Sequence, residues 1–180
     1  MKSRWLSTSG NAKCRVPAPR TNDVLNRLDG LSPWAFTGSL YLIRWAVIIP
    51  IVYAIRRVNS PAGSEMGFAD PVIGLVIVVL DPLLETLLEC SFLYWLMRKI
   101  GRIPVGERPW GFVAVSAIMM ALLHVGAWPS AILPSLVTGV FLAYVYSHFA
   151  TARTGLAILH TWAFHAAINI VGWILAVFSQ

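Results

Sequence analysis

Glu85, Glu89, His124, His165 and Asn169 are the residues of this chain whose types suit chemistry, and each stands inside an otherwise apolar stretch. Ionisable side chains are costly within a bilayer and tend to mark function there. A Glu near the middle of an apolar helix must be protonated, paired or facing water, and each condition disposes it to proton transfer. A single intramembrane His or Asn commonly serves as polar glue between helices. What matters is therefore whether the five residues meet.

Composition dictates the elements that must carry them. Hydrophobic residues make up 57% of the 180-residue chain and charged residues only 12%, with eight Trp, and mean hydropathy is +0.69. A soluble domain would carry about 25% charged residues. The expected fold is all-α, a multispan transmembrane helix bundle of about five spans with an active-site cavity near mid-bilayer, since ~20 apolar residues suffice for each crossing. The spans read as residues 35–55, 71–97, 110–127, 129–149 and 156–178. Trp128-Pro129 closes the third span, because proline cannot continue the backbone ladder. Residues 1–33 read as a basic cytoplasmic tail and residues 34–180 as the membrane domain, with its core at 71–178.

Helix geometry gives each polar residue a depth. Glu85 precedes the end of the second span by about 18 Å, His124 follows the start of the third by about 20 Å, and His165 follows the start of the fifth by about 15 Å, all at 1.5 Å rise per residue. The second span runs opposite to the third and fifth, so the three residues arrive at a similar level. Asn169 lies one turn beyond His165, and Glu89 one turn from Glu85, on the same helix faces. Hydrophobicity alone did not require this convergence.

Basic residues accumulate on the cytoplasmic side of short loops. Lys2, Arg4, Lys13, Arg15, Arg20 and Arg27 precede the first span, Arg98, Lys99, Arg102 and Arg108 follow the second, and Arg153 precedes the fifth. The opposite loops hold Arg56 and Arg57, so a cytoplasmic N-terminus is expected. The same distribution accounts for the net charge of +6 through anionic lipid headgroups rather than nucleic acid. No cleavable signal peptide is visible, and the first span is expected to act as an uncleaved anchor. Cys14 in the tail and Cys90 in a span do not suggest a disulfide. The last four residues contain no Cys, so the chain is not expected to be a prenylation substrate itself.

Three segments then resemble the motifs of the CPBP family, the intramembrane proteases grouped with CAAX prenyl endopeptidases and bacteriocin-processing proteins. The family's first motif reads PxxEExxxR. Here Pro82-Leu83-Leu84-Glu85-Thr86-Leu87-Leu88-Glu89-Cys90 aligns Glu85 with the first Glu, while Thr86 replaces the second and Cys90 replaces the Arg. The FxxxH motif is similar to Met120-Ala121-Leu122-Leu123-His124, with Met for Phe. The HxxxN motif matches His165-Ala166-Ala167-Ile168-Asn169 without change. Order and spacing agree across residues 71–178. The departures fall in the first motif, where Glu89 can partly compensate because two neighbouring carboxylates divide into one acid and one base.

The resemblance implies an intramembrane endopeptidase acting on a membrane-anchored or prenylated-type protein, with lipids and a protein or peptide substrate as its partners and no nucleic acid. Glu85 would be the general base that takes a proton from water and returns it to the leaving amine. His124 would orient the water, and His165 and Asn169 would donate hydrogen bonds to the oxyanion. No cofactor is required. A Zn2+ reading uses Glu85, His124 and His165, since two His and one Glu with an open position form an accepted zinc site, but no HExxH helix is present. The expected location is a bacterial inner (plasma) membrane, with several passes.

Two other classes of function use the same residues. One is a non-catalytic immunity or assembly partner that keeps the fold; the other is an ion or proton carrier, against which the absence of repeats or paired broken helices argues. Among the remaining polar residues, Arg44 is expected either to snorkel or to pair with a carboxylate. Asp81 is expected to cap a helix restarted by Pro82. His148 and His160 read as structural. Ser135, Gly139 and Ala143 recur every four residues, a spacing that lets helices approach closely.

Overall fold

The computed structural model describes residues 27–28, 30–58, 71–100, 110–125 and 131–178. Contacts divide the chain into residues 1–30 and a second unit, residues 31–180, which holds every helix named below. The basic tail and Cys14 fall outside the described residues, except that Arg27 and Leu28 are helical, and Arg102, Arg108 and Pro129 fall outside them too.

The second unit is an all-α membrane bundle. Its helices are α1 (Pro33–Val58), α2 (Pro71–Glu85), a π-helical segment (Thr86–Phe92) that continues directly into α3 (Leu93–Ile100), α4 (Trp110–Val125), α5 (Ile132–Ala150) and α6 (Thr154–Phe178). Pro33–Ile55, Ile132–Ala150 and Thr154–Leu175 are long and apolar enough to cross a bilayer, and Trp110–Val125 is a shorter apolar helix. Large apolar side chains such as Leu42, Leu88, Leu122 and Leu175 are exposed on the outside, as lipid-facing residues must be when the solvent is hydrocarbon. Only helices satisfy their backbone internally in that medium, and they tolerate prolines such as Pro50 there.

Small residues set the closest approach. A Cβ added to Gly139 on α5 would lie 2.7 Å from the Ala117 Cα on α4, so that crossing requires glycine. Gly139 and Ala143 are both buried. Helix α6 packs against α1, α2 and α5, which makes it the axis around which the site is built. On the α2 side, the Trp162 indole N–H donates to the Val79 carbonyl at 2.9 Å.

Where α1 and α6 begin, an aromatic cluster closes the bundle. The Phe36 ring stacks on His148 at 3.9 Å, and His160 stacks on Phe149 and tilts against Trp34, each at 4.3 Å. Thr37 donates its hydroxyl proton to the Pro33 carbonyl. It must therefore accept the His160 Nδ1–H at 3.1 Å.

Two local expectations are corrected. The helix does not restart at Pro82: α2 runs through Asp81 and Pro82, so Asp81 is an interior, exposed residue and not a cap. The missing Pro82 N–H is tolerated because it removes one backbone bond from a helix already held on both sides. Helix α6 begins at Thr154, earlier than expected, because Ala152 and Arg153 turn tightly on the Phe149 carbonyl, each at 3.0 Å.

Candidate active site

The backbone changes winding at Glu85. Immediately after it, Thr86–Phe92 adopts π-helical geometry, a rare form that occurs mostly as single-turn bulges and frequently at functional sites. The wider turn rotates the residues downstream of Glu85, so Glu89 no longer stacks directly above it as it would in an α-helix. Glu85 keeps a side-chain exposure of 22%, whereas Glu89 is buried at 4% with its Oε1 unpartnered. The two carboxylates remain close enough to repel one another, and Asp81 adds to the negative charge around them.

Glu85 meets α6. Its Oε2 lies 3.3 Å from the His165 Nε2, which joins residues 80 positions apart in the chain. His165 is buried at 4% and its Nδ1 has no partner. A neutral imidazole carries one N–H and one bare nitrogen. The proton can therefore sit on the side facing Glu85 or on the side facing the bundle interior, and the contact can pass between these two states.

His124 stands in the last turn of α4 and is partly exposed. Its Nδ1 lies 2.8 Å from the Met120 carbonyl. A carbonyl only accepts, so Nδ1 carries the proton and Nε2 is left as an acceptor. The ring is close enough to His165 to interact with it electrostatically, but no direct bond joins them among the described residues. Asn169 lies one turn beyond His165 on α6, partly buried. Glu85 and His165 thus touch, His124 and Glu89 lie within electrostatic reach, and Asn169 shares the helix face of His165.

The residues that depart from the first motif are also located. Thr86 is buried at 1% with its hydroxyl unpartnered, and Cys90 is a buried free thiol. Arg44 departs from both expectations. It is buried at 5% and does not snorkel, and among the described residues it pairs with no carboxylate: it donates from Nη2 to the Thr138 hydroxyl at 3.0 Å and leaves Nε and Nη1 unpartnered. The only sequence sign of this was a lone charge within an apolar span, since Thr138 lies 94 positions away.

Among the described residues, no three His, Cys, Asp or Glu side chains cluster closely enough to hold a metal ion. Glu85 and His165 supply two donors, and the His124 ring is turned to its own helix backbone. A cavity of about 570 Å3 opens farther along the Glu85 helix, lined by Leu87, Ser91, Phe92, Trp95, Arg98 and Lys99 among others; Glu85 and His165 do not line it.

Comparison of the chain with curated proteins and with solved structures found no significant match. A family profile does match, over residues 67–171, and its description is type II CAAX prenyl endopeptidase Rce1-like. The match takes in Glu85, Glu89, His124, His165 and Asn169, and it covers more than half of the chain. With the three motifs lying in order on helices of a membrane bundle, this chain belongs to the Rce1-like family of type II CAAX prenyl endopeptidases, a family of intramembrane proteases.

Proposed function

We propose that this protein hydrolyses a peptide bond in a membrane-anchored or prenylated protein, using water activated by Glu85. The observation that carries this reading is the 3.3 Å contact between Glu85 Oε2 and His165 Nε2, made across two helices in the apolar interior. A carboxylate there has no bulk solvent to satisfy it, so a bound water becomes its natural partner. Glu85 takes a proton from that water, the oxygen adds to the scissile carbonyl carbon, and the carbonyl oxygen becomes the oxyanion. As the C–N bond breaks, the proton passes from Glu85 to the leaving amine. No covalent enzyme intermediate forms.

The surrounding residues take complementary roles. At rest the His165 Nε2–H donates to the Glu85 carboxylate; once Glu85 has taken the proton of the water, the same N–H is free to donate to the oxyanion. Asn169 adds a second donor from the same face. The bare Nε2 of His124 accepts a hydrogen bond from the attacking water. Glu89 supplies a second negative charge beside Glu85, in place of the adjacent pair in the family motif. A metal is not needed for this sequence of steps, and a chelator should leave the purified protein's rate unchanged. The basic residues around the helix ends favour a cytoplasmic N-terminus in a bacterial inner membrane.

Substitution of Glu85 by Gln tests the reading in cells. Membrane-protein mass spectrometry should reveal a precursor that stays uncleaved when Glu85→Gln replaces the wild type. If no protein changes length while the Gln variant still loses a phenotype, a binding partner or a proton carrier replaces the protease.

A further inference from the structure

The cavity farther along the Glu85 helix has walls that change character along its length. Its volume of about 570 Å3 is that of a small-molecule site. The π-helical segment and α3, which form one continuous rod, supply most of the lining. Leu87 and Phe92 make the end nearer Glu85, Tyr94 and Trp95 follow, and Arg98 with Lys99 stands in the last turn of α3. Thr154 joins the lining from the first turn of α6, the positive end of that helix. From Leu87 to Arg98 is roughly 15 Å along the rod, about half of the ~30 Å hydrocarbon core of a bilayer and so the depth of one leaflet.

The two ends make different demands on an occupant. The Arg98 Cζ lies 5.9 Å from the Tyr94 ring centroid and the Lys99 Nζ 5.8 Å from that of Trp95, contacts that engage ring faces and leave the N–H donors for an acceptor. Among the described residues no carboxylate pairs with either cation. At the other end, Phe92 and Trp95 stack on one another at 5.9 Å and are 54% and 53% exposed, so the apolar wall opens to the lipid side. A soluble anion would leave that wall uncovered. A plain hydrocarbon chain would leave the two charges unanswered. Only an amphipathic anion meets both ends at once.

We propose that this cavity binds one anionic phospholipid, drawn from the leaflet in which α3 ends. Its phosphate lies between Arg98 and Lys99, its ester region beside Ser91 and the packed rings of Tyr94 and Tyr146, and the upper part of an acyl chain along Phe92 and Leu87. Attraction to an anionic headgroup contributes about fivefold in binding per basic residue, and the apolar wall fixes the molecule in place. Glu85 and His165 do not line the cavity, so this site is separate from the proposed hydrolytic centre and stands whether or not Glu85 activates water.

The test is native mass spectrometry of the detergent-solubilised full chain, mixed with equal amounts of dioleoyl phosphatidylglycerol and dioleoyl phosphatidylcholine. Wild type should retain phosphatidylglycerol over phosphatidylcholine by at least about tenfold, and Glu85→Gln should behave in the same way. Arg98→Gln combined with Lys99→Gln should bring the ratio close to one, whereas Arg98→Lys combined with Lys99→Arg should keep it. Leu87→Trp, which fills the apolar end and leaves both charges, should weaken phosphatidylglycerol retention severalfold. A wild-type ratio near one overturns the proposal, as does a ratio that survives the double Gln variant. Retention unaffected by Leu87→Trp would reduce the effect to surface attraction and overturn it too. Displacement of the lipid by glycerol phosphate would assign the basic end to a soluble phosphate ester, and displacement by a farnesylated peptide would assign the cavity to substrate; either contradicts the proposal.

Discussion

His160 and His165 stand five residues apart on one helix, both almost fully buried, and they live in opposite circumstances. His160 is held between Phe149 and Trp34, and its Nδ1 is bonded to Thr37. His165 faces a carboxylate on one side and leaves Nδ1 without a partner on the other. The polar atoms around the first are consumed by the fold. The Nδ1 of the second is not, and Thr86, Glu89, Thr161, Arg44 and Trp173 elsewhere in the bundle also bury atoms without partners. Buried polar groups are nearly always bonded, and a concentration of exceptions calls for an explanation. One end of α6 is finished as structure, and the stretch a turn farther on holds the unpaired groups that the proposed reaction would use.

Perturbing both regions sharpens that contrast, beginning with the largest effect. Replacing both members of the contact, Glu85→Gln with His165→Ala, should lower cleavage by about 10³-fold, little more than Glu85→Gln alone, because groups that act as a unit are non-additive. Single and double variants assayed on one prenylated peptide would reveal it, and fully multiplicative losses would separate the two roles. Asn169→Ala should lower kcat by about 10²-fold with peptide affinity unchanged, as loss of one oxyanion donor does. A change confined to KM would move Asn169 from the oxyanion to substrate binding.

Changes to the finished part of the bundle should act on stability and not on chemistry. Gly139→Val forces a side chain onto Ala117 and should cost about 1–3 kcal/mol, seen as a lower melting temperature in detergent with kcat retained by the folded fraction. His160→Phe should have the smallest effect on catalysis. It preserves the stack and removes the bond to Thr37, at about 1 kcal/mol. Its kcat should stay within about threefold of wild type, well short of the change expected from one general acid–base group. A loss comparable to that at His165 would abolish the distinction between the two histidines.

Much of this was legible in the sequence, for physical reasons that differ from residue to residue. Apolar runs announced the helices because a bilayer leaves the backbone few alternatives. The depth of Glu85, His124 and His165 followed from a fixed rise per residue, and Glu85 and His165 do meet. The π-helical segment was invisible, since it is a choice between backbone bonds of similar strength and no residue type specifies it. Its consequence, the different surroundings of Glu85 and Glu89, was invisible with it. Arg44 stands out in the sequence as a misplaced charge, but its environment depends on Thr138 and on the register of α1 against α6, which are tertiary facts. A capping role for Asp81 would require the helix to break at Pro82, and α2 runs through it instead.

The central claim, that Glu85 is the base of a water-dependent peptidase, is tested most directly by the rate at which purified Glu85→Gln cleaves a saturating farnesylated peptide beside wild type. A rate about 10³-fold lower, with peptide affinity kept, is predicted. A rate within about threefold of wild type would be too small a change for loss of a general base and would contradict the claim outright.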